Sequence, residues 1–290
     1  MLVAVLIARP GALDPALVGS LRDAFGGGAL RWLSPGEAAE FDLPAAPGNF
    51  ETVRADLQGL GVDLNLVPAE NRRKKLLLAD MDSTMIGQEC IDELAELAGV
   101  GAHVKAVTAR AMNGELDFEE ALRERVALLK DQDEAIIARV LETRITPAAG
   151  GHELVATMRA NGAYAALVSG GFTAFTAAVG GWFGFDENRA NTLVAEAGKL
   201  TGTVTSPILG REAKVEALQQ LAAKLPSGVA DAVAVGDGAN DLGMLGLAGF
   251  GVALHAKPSV AAQCDLRVNQ GDLTALLFLQ GYQRSEFVSA

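Results

Sequence analysis

Three times along this 290-residue chain a short apolar run breaks off into a small polar cluster. Leu76-Leu-Leu-Ala79 runs into Asp80-Met-Asp-Ser-Thr84, residues 163–168 into Ser169-Gly-Gly-Phe172, and residues 232–235 into Gly236-Asp-Gly-Ala-Asn-Asp241. Short unbroken apolar runs fit strands buried on both faces of a parallel sheet. Helical patterns lie between them, at 152–160 with Asn161-Gly162 as a stop and at 211–225. Strands alternating with helices predict an α/β fold, and in doubly wound sheets ligand groups gather at the carboxyl ends of the strands. The three clusters are therefore expected to share one crevice.

The rest of the chain hangs on that core. Residues 91–141 read as a helical insertion: Ile91, Leu94 and Ala98 keep one face, and Phe118, Leu122, Val126 and Leu129 another, at spacings of three and four. Residues 192–206 read as a hairpin turning at Gly198, and 251–254 as the final strand, followed by a short helix. Ahead of the core, strands at 2–8, 29–33 and 62–67 with helices at 15–25 and 50–60 predict a small α+β module. Asn71-Arg-Arg-Lys-Lys75 reads as a solvated linker behind it.

Composition removes several functions. With 24 Lys and Arg against 36 Asp and Glu the net charge is −12, a field that repels nucleic acid. An anionic small molecule then needs a metal ion or focused cations to bind. Cys90 and Cys264 stand far apart with no metal-ligand spacing, and His103, His152 and His255 match neither a triad nor a zinc pattern, so a reducing cytoplasmic setting is expected. The apolar start of the chain is too short for a signal peptide, and no apolar stretch is long enough for a membrane span.

Within the clusters, alternation at a strand end sends Asp80 and Asp82 to the same side, where one carboxylate can attack phosphorus while the other handles a proton. A pair of aspartates in a turn also serves as a helix cap or solvated surface. Asp237, Asn240 and Asp241 offer hard oxygen ligands suited to Mg²⁺, or else form only a glycine-rich turn. Ser169 and Gly170 offer a hydroxyl and backbone N–H groups that can cradle phosphate oxygens, although a plain strand-to-helix turn has the same composition. Lys214, early in its helix, is either a solvated charge or the cation that offsets phosphate and both aspartates.

With these motifs in this order, the chain from about Leu76 onward resembles the haloacid dehalogenase-like phosphatases, and among them those acting on O-phospho-L-serine. The finer resemblance rests on Glu89 and on Met112-Asn-Gly-Glu-Leu-Asp-Phe118 leading to Leu122-Arg-Glu-Arg-Val126. It implies a Rossmann-like core at 73–290 with a parallel sheet and a helical cap at about 86–146. It further implies Asp80 as nucleophile, Asp82 as acid and base, and Mg²⁺ held by Asp80, Asp237 and the backbone carbonyl of Asp82. Ser169, Gly170, Lys214 and Asn240 would bind phosphate, Glu89 the substrate ammonium and Arg125 its carboxylate, with Asp241, Met112 and Phe118 in support. The implied reaction is Mg²⁺-dependent hydrolysis through an aspartyl-phosphate, the last step of serine biosynthesis. A phosphotransferase passing the phosphoryl group to an acceptor such as homoserine would use the same residues. Ala79 and Met81 stand where many relatives carry aromatics, a change of packing. Residues 1–72 are similar to a shortened ferredoxin-like or ACT-type module, regulatory, structural or dimerising, and a homodimer stays open.

Overall fold

The computed structural model describes residues 1–112 and 115–288. In chain order the strands are β1 (Leu2–Ala8), β2 (Leu30–Ser34), β3 (Ala38–Leu43), β4 (Val62–Pro68), β5 (Leu76–Ala79), β6 (Tyr164–Phe172), β7 (Glu187–Asn191), β8 (Leu193–Glu196), β9 (Lys199–Val204), β10 (Ala232–Gly236), β11 (Phe250–Leu254) and β12 (Leu266–Val268). The helices are α1 (Pro15–Ala24), α2 (Phe50–Gly59), α3 (Cys90–Leu97), α4 (Gly101–Met112), α5 (Phe118–Ala127), α6 (Ile136–Thr143), α7 (Gly151–Ala160), α8 (Thr173–Phe183), α9 (Arg211–Ala222), α10 (Leu242–Leu247), α11 (Pro258–Ala261) and α12 (Ala275–Leu279). Two compact units result, one from Met1–Leu78, Ala149–Ala165 and Leu218–Ala290, the other from Ala79–Ala148 and Ala166–Ala217. None of the described helices is long and apolar enough to cross a membrane.

The first unit opens with β1-α1-β2-β3-α2-β4, folded into an antiparallel sheet of order β2-β3-β1-β4, which is the complete ferredoxin-like arrangement. It is not a shortened one, because β3, which the sequence does not signal, completes the sheet. Its Ala38-Ala-Glu-Phe-Asp-Leu43 holds two acids that cross-strand pairing satisfies: Arg31 of β2 bonds Glu40 at 3.0 Å and Asp42 at 2.7 Å. Ala4, Leu6, Phe41, Leu43 and Leu64 turn one face of the sheet toward Val18, Leu21, Phe50 and Leu57 of the two helices. Asp14 caps α1 by accepting the Ala16 N–H at 2.8 Å, and Pro15 pre-sets the first turn.

The other face carries Val3, Val5 and Ile7, all buried, with α12 packed against β1. Polar residues of β4 seal this side. Asp63 accepts the N–H groups of Asn269, Gln270 and Gly271 at 3.0, 2.8 and 3.3 Å. Burial still pushes its carboxyl above the usual range, with those three donors pulling the other way. The amide of Asn65 donates to the Arg267 carbonyl at 2.9 Å and accepts its N–H at 2.8 Å, as a neighbouring strand would. The expectation of a solvated linker at 71–75 fails at Arg72 and Lys74, while Asn71, Arg73 and Lys75 are exposed. Arg72 bonds the buried Glu40 at 2.7 Å, and Lys74 is buried, donating to the carbonyls of Asn71 and Ala230 at 2.7 and 2.8 Å with its ammonium 4.1 Å from the Phe250 ring centre. These charges lie inside a packed seam.

A six-stranded sheet runs in the order β12-β11-β10-β5-β6-β7. The pairs β10/β11, β11/β12 and β6/β7 are parallel. The edge strands β7 and β12 were not expected from sequence: β7 is polar, and β12 has three residues with an arginine at its centre. In the second unit, helices α3 to α6 form the insertion, with Asp117 and Glu120 making a capping box at the start of α5. The β8–β9 hairpin turns through Ala197 and Gly198 at φ of 48° and 76°, as a two-residue turn of the primed type requires. Backbone bonds from Asp131 to Leu200 and from Glu134 to Gly198, both 2.9 Å, fasten the hairpin to the insertion.

Candidate active site

Apolar Leu76–Ala79 commits β5 to the interior and delivers Asp80 to a nearly dry position. Its Oδ1 accepts the Met81 N–H at 2.8 Å and lies 2.7 Å from Nζ of Lys214, whose side chain is 2% exposed. Lys214 is thus a buried counter-charge. A buried ammonium and carboxylate at this distance attract each other strongly and fix one oxygen of the carboxylate in place.

Asp82 leaves the same turn. Its Oδ1 accepts the Cys90 N–H at 3.0 Å and its Oδ2 faces the Ser169 hydroxyl at 3.4 Å. Burial, reinforced by the negative charge of Glu89, pushes its carboxyl up to about 6, against the Cys90 bond and Lys214. A carboxylic acid so tuned can give and take a proton near neutral pH. Ser169 and Gly170 sit in the bulge where β6 leaves its register with β7, and the Ser169 hydroxyl accepts the Gly171 N–H at 2.9 Å. A Cβ on Gly171 would stand 2.8 Å from Oδ2 of Asp82, so the third residue of Ser-Gly-Gly is glycine for space.

Glu89 is held by the Ser83 hydroxyl, which donates to it at 2.7 Å from a residue in the left-handed backbone region, φ 54°. Arg125 is half-buried on α5 and bonds back to the Ala121 carbonyl at 3.1 Å. Burial lowers its basicity, and the charges of Asp92, Glu89 and Asp82 restore part of it. A guanidinium and a carboxylate therefore stand near enough to Asp82 for their charges to act on one another. Phe118 lays its ring against Gly170 and Gly210, where an added Cβ would come within 3.0 and 3.2 Å of it. Met112 closes α4 with a side chain outside the described residues, as are Asn113 and Gly114.

In the first unit, the turn after β10 is built from the other predicted group. Carboxylate oxygens of Asp237 and Asp241 lie within 4.8 Å of one another. Asp241 is buried and accepts the Gly238 N–H at 3.0 Å, close enough to Gly236 that a Cβ there would meet it at 2.4 Å. Asn240 is half-buried, its Oδ1 against Gly238. Two hard carboxylates at this spacing suit a small divalent cation. Ser83, Cys90 and Asn191 were missed from sequence. Cys90 acts through its backbone N–H and Ser83 through a hydroxyl aimed by its left-handed backbone, while Asn191 stands opposite a bulge that has no local signature.

The family model for haloacid dehalogenase-like hydrolases matches residues 77–246. The chain belongs to the haloacid dehalogenase-like hydrolases. Its relatives narrow the comparison. A phosphoserine phosphatase of Streptomyces coelicolor is 43% identical over 234 residues, 80% of this chain and 57% of that protein. One of Methanocaldococcus jannaschii is 41% identical over 206 residues, 71% of this chain and 97% of that protein. A crystal structure of a probable phosphoserine phosphatase from Vibrio cholerae superposes with a TM-score of 0.79 at 36% identity, covering 98% of this chain and 88% of that one. The chain spans 57 to 65% of the length of three curated phosphoserine phosphatases it matches, those of Streptomyces coelicolor, Vibrio cholerae and Haemophilus influenzae.

Proposed function

We propose that this protein is a phosphoserine phosphatase, releasing L-serine and phosphate from O-phospho-L-serine through a phosphoryl group carried on Asp80. The observation that carries the reading is the buried Asp80–Lys214 pair, 2.7 Å apart, next to an Asp82 tuned upward to about 6. The similarity to phosphoserine phosphatases supports the choice of substrate.

In the first step the Asp80 carboxylate forms a bond to phosphorus as the bond to the serine oxygen breaks, and Asp82 gives its proton to that oxygen. In the second step Asp82, now a carboxylate, takes a proton from water, which attacks the phosphorus and frees Asp80. Lys214, the Ser169 hydroxyl and the Gly170 N–H bind the phosphoryl oxygens, where charge grows most in the transition state, and Asn240 is assigned to the same task. Glu89 takes the substrate ammonium and Arg125 its carboxylate in a bidentate grip, and Phe118 with the insertion shields the acyl phosphate from bulk water. Asp80, Asp237 and the Asp82 carbonyl, with Asp241 in support, would hold Mg²⁺, which would supply positive charge for the phosphoryl oxygens.

The test is phosphate release from O-phospho-L-serine with Mg²⁺ or EDTA, beside phosphothreonine, an aryl phosphate and homoserine as acceptor. Fast, metal-dependent release favouring phosphoserine supports the reading. Turnover of the aryl phosphate alone overturns the substrate, and phosphoryl transfer to homoserine in preference to water overturns hydrolysis.

A further inference from the structure

The bulge that forms the Ser169 turn takes a carbonyl out of the sheet, and one side chain collects it. β6 and β7 pair through Val168 opposite Arg189 and resume at Phe172 opposite Asn191, so Ser169, Gly170 and Gly171 bow out against a single residue of β7. Such a bulge strands backbone groups from the ladder, and a buried one left without a partner is destabilising. Asn191, 2% exposed, donates from Nδ2 to the Gly170 carbonyl at 2.9 Å. The same Nδ2 donates to the Leu209 carbonyl at 3.1 Å, and Oδ1 accepts the Leu209 N–H at 2.7 Å. Leu209 stands two residues before α9, whose first turns carry Lys214. Gly170 and Gly210, the glycines of the two turns so joined, are also the two that lie under the Phe118 ring.

We propose that Asn191 is a positioning residue for phosphoryl binding: it ties the Gly170 turn to the approach to Lys214, fixing the spacing of the groups that grip the phosphoryl oxygens beneath Phe118. This rests on the phosphatase reading above. Asn191 acts through its neighbours on the reacting atoms. Its three bonds need a donor and an acceptor on one short planar group, which asparagine has. Aspartate would keep the acceptor and set a carboxylate against two carbonyl oxygens.

Asn191→Asp and Asn191→Ala, made in the full chain, test this by thermal midpoint, kcat, and inhibition by inorganic phosphate and by L-serine. The expected result is a folded protein with lower kcat and a phosphate inhibition constant raised roughly tenfold or more, while inhibition by L-serine, which reads Glu89 and Arg125, stays at the wild-type level. Folded variants with wild-type kcat and phosphate inhibition overturn the proposal. Equal weakening toward phosphate and L-serine overturns it too, since that is general loosening. Should neither variant fold, amide exchange of the wild type decides: inorganic phosphate should slow exchange at Leu209 together with Gly170 and Gly171, and slowing confined to the two glycines refutes the tie. A wild type inert to O-phospho-L-serine would sink the substrate reading alone. The variants are then compared on an aryl phosphate: lower kcat with weaker phosphate inhibition supports the tie, and wild-type values for both refute it.

Discussion

Asp63 and Asp82 are both carboxylates that burial pushes toward the protonated form, and their neighbours are opposite in kind. Around Asp63 three backbone N–H groups converge and pull its pKa back down. Around Asp82 a second carboxylate, Glu89, adds to the upward push, opposed by the Cys90 N–H and by Lys214. The first arrangement satisfies a polar group and fastens two segments. The second withholds full satisfaction, and that is what leaves a proton transferable. Burial alone is therefore a poor sign of function; the sign is burial next to a like charge, as active sites require.

The largest effect that sharpens this contrast is at the nucleophile. Asp80→Asn should cut phosphate release by about 10⁴-fold or more while the protein keeps a cooperative thermal transition; near wild-type turnover would refute covalent catalysis. Next comes Glu89→Gln. It removes the charge that raises Asp82, so the alkaline limb of kcat/KM, set by loss of the acid's proton, should move to lower pH than in wild type. Because the ionisation of the substrate is common to both proteins, the difference between the two pH profiles isolates the enzyme group. A limb that stays put, or moves up, breaks the electrostatic link between the two carboxylates.

At the seam, Asn65→Ala leaves the Arg267 N–H and C=O without their partner. It should lower stability by about 1–3 kcal/mol in denaturant unfolding, with the folded enzyme turning over normally. Loss of activity without loss of stability would mean the seam is functional after all. The smallest effect is expected two residues from Arg125: Arg123→Ala removes an exposed ion pair with Glu119, 3.4 Å across, and should change neither melting nor kcat/KM. Arg125→Ala, by contrast, should raise KM for phosphoserine far more than for an aryl phosphate.

What could be read from the sequence follows how each element is stabilised. β5, β10 and the first part of β6 were legible because central parallel strands are apolar, and the chemistry-bearing residues follow β5 and β10 and fill the bulge of β6. β3 was not, since Glu40 and Asp42 look like loop residues until Arg31 and Arg72 are brought opposite them by the fold. The basic run 71–75 misled for the same reason, as its charges are satisfied by residues far away in the chain. Asn191 has no local pattern at all; its meaning depends on a register shift in a neighbouring strand. Propensity and periodicity report on the chain's own surroundings, whereas a buried polar residue takes its partners from tertiary structure.

The paired amide of Asn65 also bears on how such chains change length. The Methanocaldococcus jannaschii relative is matched over 97% of its length by 71% of this chain. Here, a chain restarted near Leu76 would uncover the backbone of β12, which Asn65 now closes as an extra strand would. An open strand edge is a template for pairing with another molecule. Gaining this module thus caps an edge, and shedding it calls for compensating charge or proline on β12, so the length of the chain and the composition of one remote strand are bound to change together.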